Sequence, residues 1–202
     1  MRVTKMEGRL RSLLDRLDPR YMRLDQALAI FERLLVLEED GEPARRVLEI
    51  GTFCGTGAIL LAAMVEEWGG HVTTVDLPWV GEPNKHFAKT ADDYARELGV
   101  ENLSIVRRED GAEGWMRERL AERSFSLDLV YLDGGHTWKN TIVQVALSLA
   151  CLRPGGLLVV DDLHNRAWPE VQEVWETVVS RTAAPWQVRE RGMTGFVHLP
   201  RV

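Results

Sequence analysis

Three carboxylates and a histidine stand where this sequence turns from apolar to polar. Leu129-Val130-Tyr131-Leu132 runs into Asp133-Gly134-Gly135-His136, and Leu157-Leu158-Val159-Val160 runs into Asp161-Asp162. If these apolar runs are neighbouring strands, three acids converge on one small volume. Like charges that close raise one another's pKa and cost free energy until something neutralises them. A divalent cation does so, and an all-oxygen donor set suits Mg2+ first, with Mn2+ or Ca2+ behind it. The alternative is that Asp161 and Asp162 cap a loop while Asp133 meets a ligand without metal. His136 adds an imidazole that can accept a proton near neutral pH. Its plainer reading is a cap on the helix beginning at 138. His164 and Lys139 are the competing bases.

A second cluster comes earlier, in Val47-Leu48-Glu49-Ile50-Gly51-Thr52-Phe53-Cys54-Gly55-Thr56-Gly57. An apolar strand carrying an acid ends in three glycines and enters an apolar helix. Glycines let a ligand approach the backbone, and the first helical N–H groups point at it, so Gly51, Gly55 and Gly57 suit a nucleotide-like ligand. Their spacing is G-x-x-x-G-x-G, not the G-x-G-x-x-G of dinucleotide binders. Asp76 closes the run Val72-Thr73-Thr74-Val75-Asp76. A carboxylate there can accept both hydroxyls of a ribose; otherwise it caps the turn before Pro78.

The elements that must position these residues alternate strand and helix from residue 46, which predicts a parallel sheet covered on both faces. Strands are expected at Arg46–Ile50, Val72–Asp76, Leu103–Arg107, Leu127–Leu132 and Gly156–Asp161, with helices over about 57–68, 85–98, 112–122, 138–152 and 168–181. Trp186–Arg191 and Gly195–Leu199 flank Gly-Met-Thr-Gly and read as an antiparallel hairpin. The expected architecture is an α/β, Rossmann-like three-layer sandwich with a mostly parallel seven-stranded sheet and an antiparallel last strand. Ahead of it, Leu10, Leu13, Leu14 and Leu17 mark one amphipathic helix closed by Asp18-Pro19. Leu24, Leu28, Phe31, Leu34 and Leu35 mark a second, from Met22 to about Glu39. One domain spans 1–202, a helical cap over 1–42 leading into a core over 43–202. Trp138 and Trp168, near helix starts, either wall a pocket or simply pack. The loop Leu77–Asn84 is a candidate lid.

The chain has 202 residues, 45% of them hydrophobic, enough for one sizeable core. Its net charge of -6 argues against a nucleic-acid partner, which needs a basic face. Cys54 and Cys151 make no disulfide framework and fit a reducing compartment. No apolar run resembles a signal peptide or reaches membrane-spanning length, so a cytoplasmic protein with no membrane partner is expected.

With Glu49 two residues ahead of Gly51, the glycine run resembles motif I of class I S-adenosylmethionine (SAM) methyltransferases. Their topology is a mostly parallel sheet with an antiparallel last strand. Asp133, with Asp161-Asp162 after the turn Arg153-Pro154-Gly155-Gly156, resembles the metal-dependent small-molecule O-methyltransferases. Within these the chain is most similar to the macrolide and aminocoumarin sugar branch, with catechol and caffeoyl-CoA enzymes as cousins. The cousins usually carry Asn where Asp162 stands and a lysine base where His136 stands; the first departure points to the sugar branch.

The resemblance implies a SAM site built from Glu49, Gly51, Gly55, Gly57, Asp76, Asp110 and Asp133. In it Asp110, which is also placed to cap the helix at 112, would accept from the adenine amino group. It further implies a Mg2+ site from Asp133, Asp161 and Asp162, with His136 as general base toward a sugar or catechol-like hydroxyl. Two alternatives stand beside it: a metal-independent class I enzyme acting on nitrogen or a protein, and a non-catalytic SAM-binding module. A homodimer is the default assembly.

Overall fold

The computed structural model describes residues 2–17, 21–78, 89–122, 126–182 and 187–201. Seven strands form one sheet: β1 (Arg46–Ile50), β2 (His71–Asp76), β3 (Leu103–Arg107), β4 (Leu127–Leu132), β5 (Leu152–Val160), β6 (Gln187–Arg191) and β7 (Thr194–His198). Their spatial order is β3-β2-β1-β4-β5-β7-β6. The first five run parallel; β7 is antiparallel to both β5 and β6. The chain walks outward from β1 through β2 to β3, then returns to lay β4 against the other side of β1. That reversal makes the β1–β4 boundary the switch point, where ligands of open α/β sheets bind.

Helices cover both faces because the central strands are apolar on both. The helices α1 (Arg2–Leu14), α2 (Leu24–Glu39), α3 (Thr56–Val65) and α4 (Ala91–Leu98) pack on one face, over Val47, Val72, Leu129, Tyr131, Leu157 and Val159. The opposite face, with Leu48, Ile50, Val130, Leu132, Leu158 and Val160, takes α5 (Gly111–Leu120), α6 (Trp138–Cys151) and α7 (Pro169–Val174). Strand alternation thus puts Glu49, Tyr131, Asp133 and Asp161 on the α2 side of the sheet.

Register does the rest. Ile50 pairs with Val75 and Leu132, and Leu132 with Val160, so four strands end in one row. The ladder continues one step through Gly51 N to Val75 O, Asp133 N to Ile50 O and Asp161 N to Leu132 O. Gly51, Asp76, Asp133 and Asp161 therefore emerge along a single edge.

Several expected boundaries shift. The strand expected at Gly156–Asp161 begins at Leu152, because Leu152 already pairs with Leu127 across a register shift in β4. Arg153 holds that early segment, its guanidinium on Asp128 at 2.6 Å. The last long helix is interrupted: after α7 the turn at Trp175–Val179 widens to a π-helix before a final turn at Ser180–Thr182. The Asp18-Pro19 stop, the start of the helix expected at 85, Trp186, and most of the proposed lid lie outside the described residues.

Candidate functional site

A cleft of about 920 Å³ opens over the carboxyl ends of β1, β2, β4 and β5. Glu49, Gly51, Gly57, Asp76, Asp110, Asp133, His136, Asp161 and Asp162 all line it, as does Lys139. Gly55 stands just outside the wall, beside Ala91 at the start of α4. His164 is elsewhere, half-exposed and paired with Glu190 on β6 at 3.1 Å.

At the β1 end the backbone of Gly51 has φ +96°, and a Cβ there would fall on the carbonyl oxygen of Asp133. Only glycine satisfies both the conformation and the approach. Gly57 serves Glu49 in the same way, since a Cβ at 57 would occupy the position of Glu49 Oε1. Glu49 is buried and accepts from Thr74 Oγ1 at 2.5 Å, while Thr74 Oγ1 lies 2.7 Å from Thr52 Oγ1. Burial, with the charges of Asp133 and Asp76 adding to it, holds the Glu49 carboxyl well above the usual range despite the threonine.

Asp76 ends β2 and organises the loop: Oδ2 accepts from Phe53 N at 3.0 Å and Oδ1 from Leu77 N at 2.8 Å. Phe53 sits at φ +44°, and its ring meets Tyr21 edge-on at 4.8 Å. Asp110 occupies the N-cap position of α5 without capping it. Its carboxylate is gripped by Arg108, through Nε at 2.7 Å and a second nitrogen at 3.1 Å.

The acidic end is denser. Ligand atoms of Asp133, His136 and Asp162 all lie within 4.8 Å of one another. His136 Nε2 stands 2.8 Å from Asp162 Oδ2 and 3.8 Å from Asp133 Oδ1. That nitrogen is buried, and its contact with the two carboxylates is one between charges and not a well-formed hydrogen bond. Burial alone would lower the imidazole, but the two carboxylates outweigh it and lift its pKa to about 9. Desolvation, reinforced by Asp161 and Asp162, pushes Asp133 up to about 7. Asp162 stays below the ordinary range because His136 and Asn165 oppose its burial. Its backbone is left-handed, φ +62°, and Asn165 Nδ2 donates to its Oδ1 at 2.7 Å.

Asp161 takes a different partner. Its buried carboxylate faces the α2 side, where Tyr131 Oη donates to Oδ2 at 2.5 Å. His136 thus stands with Asp133 and Asp162 in the tight cluster, and Asp161 borders it from behind. The carboxylates here fit a small divalent cation, hard oxygens whose clustered negative charge calls for a neutralising partner.

Sequence reasoning passed over Tyr131, Gln26 and Asn165, and left Trp168 undecided. Trp168 lines the cleft and stacks on His136. Tyr131 had a signal, as the one polar-tipped side chain in an otherwise aliphatic inner stretch of β4. Gln26 had none, since it reaches the site only through the docking of α2.

The topology agrees with that of known proteins. A family model described as a methyltransferase domain matches residues 48–163. Protein-L-isoaspartate O-methyltransferase of Methanothermobacter thermautotrophicus is 24% identical over 163 residues, 81% of this chain and 64% of the relative. The chain thus spans under two thirds of the length of that curated relative.

Among solved structures, the O-methyltransferase TomG from Streptomyces achromogenes, in complex with SAM, superposes with a TM-score of 0.60 at 21% identity, covering 98% of this chain and 90% of TomG. MycE methyltransferase of the mycinamycin biosynthetic pathway, in complex with Mg, SAH and mycinamycin VI, gives 0.63 at 19%, covering 95% of this chain and 54% of MycE. At these identities the likeness is one of fold. The family match takes in the glycine loop, Asp76, the β4 and β5 acids and His136, more than half of the chain, which therefore belongs to the methyltransferase domain family.

Proposed function

We propose that this protein transfers a methyl group from SAM to a hydroxyl of a small molecule, a sugar or a catechol-like group, in a reaction that depends on Mg2+ or a similar divalent cation. The observation that carries the reading is the cluster of Asp133, Asp162 and His136 inside the same cleft as the glycine loop. Asp133, Asp161 and Asp162 would hold the cation. When bound, it supplies a Lewis acid that lowers the pKa of an acceptor hydroxyl and fixes its orientation.

The remaining work falls to the chain. Gly51 and Gly57 keep the floor of the cleft open, and Asp76 presents two oxygens for a ribose on a loop it already braces. Glu49 and Asp133 complete the cofactor wall, and Asp110 is the acceptor for an adenine amino group. His136 is the general base. Beside two bare carboxylates it holds its proton up to about pH 9, and it becomes a competent base once their charge is neutralised. Methyl transfer is an in-line displacement, so alignment lowers most of its barrier.

The cleft lies in a chain of net charge -6, which suits a small-molecule acceptor better than a nucleic acid. Among the described residues no helix is long and apolar enough to cross a membrane. A cytoplasmic homodimer is the assembly this reading carries.

The test is chelation. EDTA should abolish transfer from labelled SAM while calorimetry still registers SAM binding, and Mg2+ should restore the rate. Undiminished transfer after thorough chelation would remove the cation. It would favour a second reading, metal-free transfer to a protein carboxyl, which the relative named for an isoaspartate substrate supports.

A further inference from the structure

We infer that Tyr131 is a positioning residue that commits one oxygen of Asp161 and thereby makes the cation site prefer Mg2+ to Ca2+. The inference rests on the cation reading above and adds a determinant to it. Tyr131 is fully buried in the middle of the sheet, and strand alternation points it to the α2 side, the side of Asp161. Its hydroxyl lies between two partners: Gln26 Nε2 at 3.3 Å and Asp161 Oδ2 at 2.5 Å. An amide NH2 can only donate, and a phenol has one proton. With Gln26 donating to the phenol oxygen, the Tyr131 proton is directed to Asp161. Oδ2 of Asp161 is then engaged from behind, by a bond that a cation using both oxygens of Asp161 would have to break.

The neighbouring acid is held too, Asn165 Nδ2 donating to Asp162 Oδ1 and His136 Nε2 paired with Oδ2 at 2.8 Å. With one oxygen of Asp161 committed, this acid is a stiff donor that cannot chelate through both oxygens without breaking the bond to Tyr131. Ca2+ takes six to eight oxygens at longer distances and uses carboxylates through both oxygens, whereas Mg2+ is octahedral and keeps several waters. The committed oxygen therefore costs Ca2+ a ligand that Mg2+ does not need. Gln26 belongs to α2, so the setting also ties the N-terminal helices to the site.

The experiment is calorimetric titration of the whole chain, in the presence of SAM, with magnesium chloride and with calcium chloride. The wild-type protein should bind Mg2+ more tightly than Ca2+. Tyr131→Phe keeps the ring and frees Oδ2, and should shift the ratio of the two affinities toward Ca2+ by about tenfold. An unchanged ratio in a Tyr131→Phe protein that still binds cations would overturn the inference and spare the cation reading. Wild-type protein that binds Ca2+ more tightly would overturn it whether or not the variant folds. A wild-type chain that binds neither ion ends both.

Discussion

Trp168 lies flat on His136, the ring centroids 4.4 Å apart and the planes 14° from parallel. The indole comes from the N-cap of α7 and the imidazole from the loop after β4, so two crossovers meet over the acidic cluster. A stacked ring limits the imidazole to one orientation, and an aromatic pair of this kind contributes roughly 0.5–1.5 kcal/mol. Trp168→Ala should lower kcat by about three- to tenfold while leaving the SAM Kd near wild type. Trp168→Phe should recover most of that loss. Steady-state rates and calorimetry on the two variants check this, and equal losses in both would remove the stacking argument.

His136→Gln removes the base and keeps a polar group of similar reach. The transfer rate should fall about a hundredfold or more. Binding of SAM and Mg2+ should persist, because the carboxylates remain. A variant with a near wild-type rate at saturating acceptor would reassign the base, with Lys139 the next candidate in the cleft.

Asp76 both braces the loop and faces the cofactor. Asp76→Ala withdraws the acceptor for Phe53 N and Leu77 N together with the two oxygens offered to a ribose. Hydrogen bonds to a charged group contribute about 1.5–3 kcal/mol, so SAM affinity should drop roughly ten- to a hundredfold. Mg2+ affinity should change far less. Calorimetric titration of each ligand separates the two effects.

Gly51→Ala meets two obstacles, a φ of +96° and the carbonyl of Asp133. The substitution should destabilise the fold by at least about 2 kcal/mol and move the Asp133 strand end. Urea unfolding measures it, and a midpoint within error of wild type would mean that β1 and β4 tolerate separation at the switch point.

Glu49 gives a pH dependence with a defined sign. Its folded pKa lies well above the ordinary 4.5, so the folded protein binds this proton more tightly than the unfolded chain. The stabilisation is full below 4.5 and is lost as pH rises toward the folded value. Stability of cofactor-free protein should therefore decline across this window, and Glu49→Gln should flatten the decline. Urea midpoints at a series of pH values check it; identical slopes in the two proteins would clear Glu49 of the effect.

What was legible from the residues in order was whatever is periodic or covalently local. β1 and β4 could be bounded to the residue, because an apolar run that ends in a glycine or an acid marks the change from buried sheet to cleft. The turn to antiparallel pairing at β7 was equally readable from Gly-Met-Thr-Gly.

The tertiary structure alone decided the partners. Gly51 needs its glycine because of Asp133, which lies 82 positions away and arrives only when β4 packs on β1. Asp161 and Asp162 are adjacent in the chain yet face different neighbours. One still follows the strand's ladder, one step past its end, and points to Tyr131; the other has left it through a left-handed turn and points to His136. Alternation along a strand is a property of the strand itself, whereas the direction of a side chain beyond its end depends on which loops and helices close over it.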